Sequence, residues 1–274
     1  MKTAFFSNVS GKNGVTSNIA CISIMCAMEY QLRSMIIENH SNLNSIENAF
    51  VRYHEHYLVN EDYYYFNHIG IEAVIKKLHS EKEDDNMIES ASKKFLNHYI
   101  YYLPQSHTMN KEVLEFQLNE VISRLLEKAE QCSDITFVDM EGKVNLTSRA
   151  ILEEADLVVV NLSQDIRIIR HFFEHYQALI PKAIFLISKY DSRSKYNVKN
   201  IMRKYHISKE NIAVIPYNVE YKDAISEGKV IEFIARNYNC KEEDDNYTFI
   251  REVRHATDIL YQKSRNYQKE VLSV

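Results

Sequence analysis

The chain is 274 residues long, 45% apolar, and carries a net charge of −5 with its histidines neutral. That is enough apolar residue to bury a full core in one large α/β domain or two small ones, and the near-balanced charge excludes a whole-protein field that would draw nucleic acid. With only five glycines and three prolines, long disordered linkers are also excluded.

The N-terminal stretch organises the rest. A short apolar strand, residues 3–6, leads into a polar, glycine-bearing turn, Ser7-Asn8-Val9-Ser10-Gly11-Lys12-Asn13-Gly14, and then a run of helix formers over residues 15–28. Strand, glycine loop and helix are the arrangement that sets backbone N–H groups and a helix N-terminus before a phosphate. Thr16 and Ser17 stand at the first turn, where a P-loop keeps the hydroxyl that reaches Mg²⁺. Where a P-loop has Lys between Gly14 and Thr16, this chain has Val15. Two glycines and a Thr-Ser pair before a helix also describe a plain N-cap.

Residues 34–38 read as a buried strand ending in Glu38-Asn39-His40. Residues 42–80 hold an aromatic cluster (Tyr53, Tyr57, Tyr63, Tyr64, Tyr65, Phe66) and a helical pattern over 70–78; residues 81–85 are an acidic, solvated loop. His54 and His56 have ligand-like spacing, but no third ligand accompanies them, so they read as a surface pair. Residues 98–103 form a strand stopped by Pro104. Apolar residues at Val113, Leu114, Leu118, Val121, Ile122, Leu125 and Leu126 give residues 110–131 a helical period.

From there the alternation is regular. Strands are expected at 135–139, 157–162, 183–187 and 212–215, the last stopped by Pro216, with helices at 164–179 and 197–205. Unbroken apolar strands separated by helices mean a mostly parallel sheet of about seven strands, covered on both faces. In such sheets ligands bind at the carboxyl ends of the strands. Three loops besides the first open there: Val138-Asp139-Met140-Glu141-Gly142, Ser188-Lys189-Tyr190-Asp191 and Pro216-Tyr217-Asn218. An Asp ending a buried strand can hold Mg²⁺ or its water, and a glycine three residues on can offer its N–H to a terminal phosphate. Alone, such an Asp also reads as a cap on the next segment.

A helical tail over 247–272 follows an acidic break at 242–245. Its apolar residues, Phe249, Ile250, Val253, Ile259, Leu260 and Val271, do not by themselves form one clean stripe. Packing on the domain is the favoured reading, with membrane contact as the other. Its basic residues, Arg251, Arg254, Lys263, Arg265 and Lys269, read as a solvated face rather than a DNA surface. Cys21, Cys26, Cys132 and Cys240 have neither zinc nor redox spacing and are expected to be free thiols of a cytoplasmic protein. The first strand begins almost at Met1, so no signal peptide is expected, and the longest apolar stretch, 19–28, is too short to span a bilayer.

The order of these loops resembles the ParA/MinD-type deviant-Walker-A P-loop ATPases over about residues 2–240, with 241–274 as a C-terminal helical extension. The Lys-Tyr-Asp and Ile-Pro-Tyr-Asn wording at 189–191 and 215–218 is most similar to TadZ/CpaE-type pilus-assembly proteins. The resemblance implies a nucleotide-dependent switch that positions a cellular assembly, with ATP or ADP and Mg²⁺ as cofactors. It further implies a homodimer closing on the nucleotide, and a protein partner within the localised assembly. It places Gly11, Lys12, Asn13, Gly14, Val15, Thr16 and Ser17 around the phosphates and Asp139 at the catalytic Mg²⁺ shell with Thr16. Gly142 would meet the terminal phosphate, Ser188 stands where the base is read, and Pro216 and Asn218 open onto the same nucleotide crevice. The family's signature lysines fall at Ser10 and Val15, and its adenine-reading Asn falls at Ser188, so hydrolysis is expected to be weak or absent. A nucleotide-independent scaffold is the alternative.

Overall fold

The computed structural model describes residues 1–11, 13–40, 45–52, 68–80, 84, 86–105, 111–140, 142 and 145–272. The aromatic cluster at 53–66, with His54 and His56, lies outside the described residues, as does most of the acidic run at 81–85.

Among the described residues, eight strands form one sheet in the order β3-β4-β2-β5-β1-β6-β7-β8. They are β1 Lys2–Phe6, β2 Ser34–Asn39, β3 Lys93–Phe95, β4 Ile100–Leu103, β5 Ile135–Met140, β6 Leu157–Leu162, β7 Ala183–Tyr190 and β8 Ile212–Pro216. Every pairing is parallel except that of β3 with β4. Alternate residues of the same strands enter two separate cores. Ala4, Phe6, Met35, Ile37, Val138, Val158 and Val160 face one side, while Phe5, Ile36, Phe137, Leu157, Val159 and Leu186 face the other. A strand apolar at every position is buried on both faces, which is what the period of two requires.

Helices α1 Val15–Tyr30, α2 Ile46–Phe50, α9 Val219–Glu227, α10 Val230–Asn237 and α11 Tyr247–Leu272 cover the second face; α3 Ile71–His79, α4 Met87–Ala91, α5 Lys111–Cys132, α6 Leu146–Glu154, α7 Ile166–His175 and α8 Val198–Tyr205 cover the first. Helix α1 is buried continuously from Asn18 to Ala27. It lies between the sheet and α11, so it has no polar face to present. Helix α11 buries Phe249, Ile250, Val253, Ala256, Thr257, Leu260 and Ser264, and it packs on β8 and α1. Once Ala256, Thr257 and Ser264 are counted, these residues do make one stripe at spacings of three and four. Tyr30 stacks on Tyr261 with ring centroids 3.8 Å apart, and Arg254 pairs with Glu29. Among the described residues no helix is long and apolar enough to cross a membrane.

Several expectations are amended by packing. The helix expected over 164–179 ends at His175, where Tyr176 turns its ring onto Phe6 and Phe172; a 3₁₀ turn containing Pro181 then leads into β7. The strand expected from residue 98 starts at Ile100, because Leu96, Asn97 and His98 all have positive φ. Val113 stands 45% exposed, off the buried stripe of α5.

Candidate functional site

Leaving β1 the chain turns towards β2, while β6, β7 and β8 extend the sheet on the other side. The carboxyl ends of β5, β1 and β6 therefore border the point where strand order reverses, the usual ligand crevice of an open parallel sheet. The loop after β1 ends at Gly14, which is the N-cap of α1 in the left-handed conformation, φ 63. A Cβ there would also stand 2.8 Å from Ser17 Oγ and turn that side chain away, but it is the left-handed backbone that calls for glycine. Among the described residues no N-cap side chain bonds the first turn of α1, since Gly14 has none to offer. Its leading N–H groups, with the positive end of the helix dipole, are left to an anion. Gly11 has φ 72, and among the described residues nothing lies within 4 Å of where a Cβ would be.

Thr16 and Ser17 are half-buried at this turn, and Ser17 Oγ donates to Gly14 O at 2.8 Å. Val15 packs against the core beneath α1. Asn13 faces inward. It is buried, and its Nδ2 donates to Ser7 Oγ at 2.8 Å and to Asn161 O at 3.1 Å, fastening the loop to β6. Lys12 lies outside the described residues.

The loop after β5 lies against this one. A Cβ on Gly142 would stand 2.8 Å from Ser10 N and Val9 C and 3.0 Å from Ser7 O, so only glycine allows the two backbones to touch. Asp139, near the end of β5, is buried, and its Oδ2 lies 3.1 Å from Nε2 of buried His40. Glu38 pairs in register with Asp139 across β2 and β5. Its Oε1 accepts from Ile46 N at 2.6 Å and its Oε2 from Tyr102 Oη at 2.7 Å. Burial pushes the Glu38 carboxyl up to about 7, with His40 opposing and the Asp139 charge adding to the rise. Glu38 and His40 are site residues that sequence reasoning missed. The signal available was a Glu-x-His pair ending a buried strand, which gains meaning only once β2 is known to lie beside β5.

The remaining expected residues are placed apart from the phosphate loop's mouth. Ser188 is 2% exposed beneath α1, where its Oγ accepts from Asn18 Nδ2 at 2.8 Å; the same amide donates to Asn161 Oδ1 at 2.7 Å. Asn218 caps α9, its Oδ1 accepting from Tyr221 N at 2.7 Å and its Nδ2 donating to Asn246 Oδ1 at 2.8 Å. Pro216 closes β8 half-buried, beside Tyr217, which is 55% exposed. Tyr221 Oη donates to Ser17 O, tying α9 to the first turn of α1. The Ser188–Asp191 segment is not a free loop. β7 runs on to Tyr190 with a bulge at Lys189, and Gln164 exchanges hydrogen bonds with both the N–H and the carbonyl of Asp191.

No protein-family model matches the sequence, and no curated protein matches it. Solved structures do match. A ParA family ATPase from Chlorobium tepidum TLS superposes with a TM-score of 0.70 at 12% identity, over 93% of this chain and 98% of that one. The MinC:MinD cell division protein complex of Aquifex aeolicus gives 0.65 at 14% identity, over 95% and 96%. The chain has the ParA/MinD ATPase fold. A third structure of this fold, the septum site-determining protein MinD complexed with Mg-ADP from Pyrococcus horikoshii OT3, gives 0.62 at 16% identity, over 96% and 99%.

The residues of this ParA/MinD fold suit a phosphate. Among the described residues the first turn of α1 is uncapped, nothing crowds Gly11 before it, and Gly142 brings a second backbone alongside. Asp139 beside them also offers a buried carboxylate to a divalent cation. The imidazole of His40 beside Asp139 makes the donor set mixed rather than all oxygen.

Proposed function

We propose that the chain is a nucleotide-responsive switch of the ParA/MinD kind, which positions a cellular assembly by binding a protein partner in one nucleotide state. The observation that carries this reading is the contact of Gly142 with the backbone at Ser7, Val9 and Ser10, which joins the β5 loop to the phosphate loop. A terminal phosphate before α1 would lie between both, so its presence or loss can move the β5 loop and α6 behind it. Backbone N–H groups near Gly11, Gly14 and Thr16 would hold the phosphates, and the Thr16 hydroxyl and Asp139 would hold Mg²⁺, which supplies charge neutralisation at the phosphate oxygens. Val15, packed on the core, offers no cation to the transferring group, which supports binding with very slow hydrolysis.

Tad-type pilus assembly is the process we propose, from the wording of residues 189–191 and 215–218. A homodimer across the crevice accords with exposed Leu146, Tyr217 and Val219 on the segments that follow β5 and β8. Phe249, Ile250, Val253, Ile259 and Leu260 of α11 are buried on the domain, which supports packing rather than membrane contact as the role of that helix. The fit of Asn13, Val15 and Ser188 into the interior favours a second reading, a scaffold that keeps the fold without nucleotide.

Calorimetric titration with ATP and ADP, with and without Mg²⁺, separates the two. The switch predicts weak, Mg²⁺-dependent binding that Thr16→Ala abolishes, together with an ATP-dependent change in mass by light scattering. Absence of any binding, with a mass that nucleotide does not alter, rejects the switch and leaves the scaffold.

A further inference from the structure

Strands β2 and β5 set Glu38 directly beside Asp139, and one residue past β2 His40 comes back over the same strand end. From this juxtaposition we infer that Glu38, His40 and Asp139 bind a divalent transition-metal ion such as Zn²⁺, directly and without nucleotide. The inference concerns the same crevice as the proposed switch but does not rest on it, because the ligands are side chains alone.

One oxygen or nitrogen from each residue lies within 4.8 Å of the other two. Four-coordinate zinc, with bonds of about 2.0–2.1 Å, holds its ligand atoms about 3.3 Å apart. His40 Nε2 and Asp139 Oδ2 already have that spacing at 3.1 Å, so the site closes by about 1.5 Å at most at Glu38. All three side chains are buried, Glu38 at 3%, His40 at 7% and Asp139 at 1% exposure. A second observation points to an occupant: Asp139 Oδ2 is buried and accepts no well-formed hydrogen bond, with His40 Nε2 at 3.1 Å as its polar neighbour. An unsatisfied carboxylate oxygen inside a protein is costly, and a cation in the triangle would satisfy it.

The supporting shell is also in place. Ile46 N and Tyr102 Oη each donate to one oxygen of Glu38, which fixes its plane and leaves further lone pairs, the way outer partners orient metal-binding carboxylates. Charge gives the same answer. With the ion bound, two carboxylates and a neutral imidazole would carry two negative charges, which a divalent ion balances where water cannot. The imidazole decides the class of ion, since Zn²⁺, Co²⁺ and their neighbours take nitrogen readily while Mg²⁺ keeps to oxygen.

The test uses the untagged full chain, stripped with EDTA and titrated with Zn²⁺ or Co²⁺ in excess Mg²⁺ and without nucleotide. One equivalent should bind and raise the melting temperature. The Co²⁺ form should show visible d–d bands without thiolate charge transfer. His40→Ala and Asp139→Asn should each weaken the ion by at least about 100-fold, while Cys132→Ser with Cys240→Ser should leave it in place. Should His40→Ala fail to fold, X-ray absorption of the wild-type Zn²⁺ form reads the ligands directly, with imidazole and carboxylate scattering expected. The inference is overturned by a wild-type chain that takes up no stoichiometric ion, by displacement with Mg²⁺, by sulfur in the ligand shell, or by full retention on folded His40→Ala. Any of these leaves His40 and Asp139 as an ion-free pair.

Discussion

The contact between the two loops can be tested by adding a single methyl group. In Gly142→Ala the new Cβ would stand 2.8 Å from Ser10 N and Val9 C and 3.0 Å from Ser7 O, whereas ordinary contacts begin near 3.4 Å. All three atoms are backbone, so no side-chain rotation relieves the clash. The β5 loop and the phosphate loop have to part by roughly half an ångström. Overpacking of this kind costs about 1–3 kcal/mol, which for a chain of this size lowers the melting temperature by about 2–10 °C. Because the displaced atoms belong to the phosphate loop, nucleotide affinity should fall with stability. Gly11→Ala is the control. Its Cβ meets nothing among the described residues, and it suffers only the left-handed strain of φ 72, about 1–2 kcal/mol. Calorimetric melting and ATP titration of both variants read the comparison. A Gly142→Ala protein that melts within about 1 °C of wild type and binds nucleotide unchanged would refute the coupling.

Other expectations follow from the same packing. Val15→Lys should tighten ATP by roughly tenfold, the effect of about 1.4 kcal/mol, in a fluorescence titration; a folded variant with unchanged affinity would mean the loop is not a phosphate cradle. Leu260→Ala removes a side chain from the 2%-exposed stripe of α11 and should cost about 2–5 kcal/mol in chemical denaturation. A loss under about 0.5 kcal/mol would show that α11 is only loosely attached. Burial pushes the thiols of Cys21 and Cys26 up to about 12, so a thiol reagent should leave both unmodified in the native protein and reach them only after unfolding. Rapid native labelling of either, read by peptide mass, would contradict the buried α1.

How far the sequence speaks for itself depends on whether a feature is local. The strands at 135–139, 157–162 and 183–187 are apolar at nearly every residue, and that alone implies a sheet covered on both sides. Gly11, Gly14 and the Thr16-Ser17 pair likewise mark a loop opening a helix within one short stretch. β3 went unseen because it is a three-residue edge strand, Lys93-Lys94-Phe95, with the charges that edges favour. The stripe on α11 was hidden because Thr257 and Ser264 belong to it and are not apolar. Glu38 and His40 acquire their meaning only from Asp139, about a hundred residues away in the chain but adjacent in the sheet. Asn13 and Ser188 read as polar loop residues, and Asn18 as one more residue of the first helix, until the fold joins them through Asn161.

The central claim is that nucleotide phosphates sit before α1, between the loops after β1 and β5. A crystal structure of the chain grown with ADP and Mg²⁺ tests it most directly. The account predicts phosphate density against the backbone at Gly11, Gly14 and Thr16, with Gly142 alongside. Density elsewhere, or an empty crevice at saturating nucleotide, would contradict it.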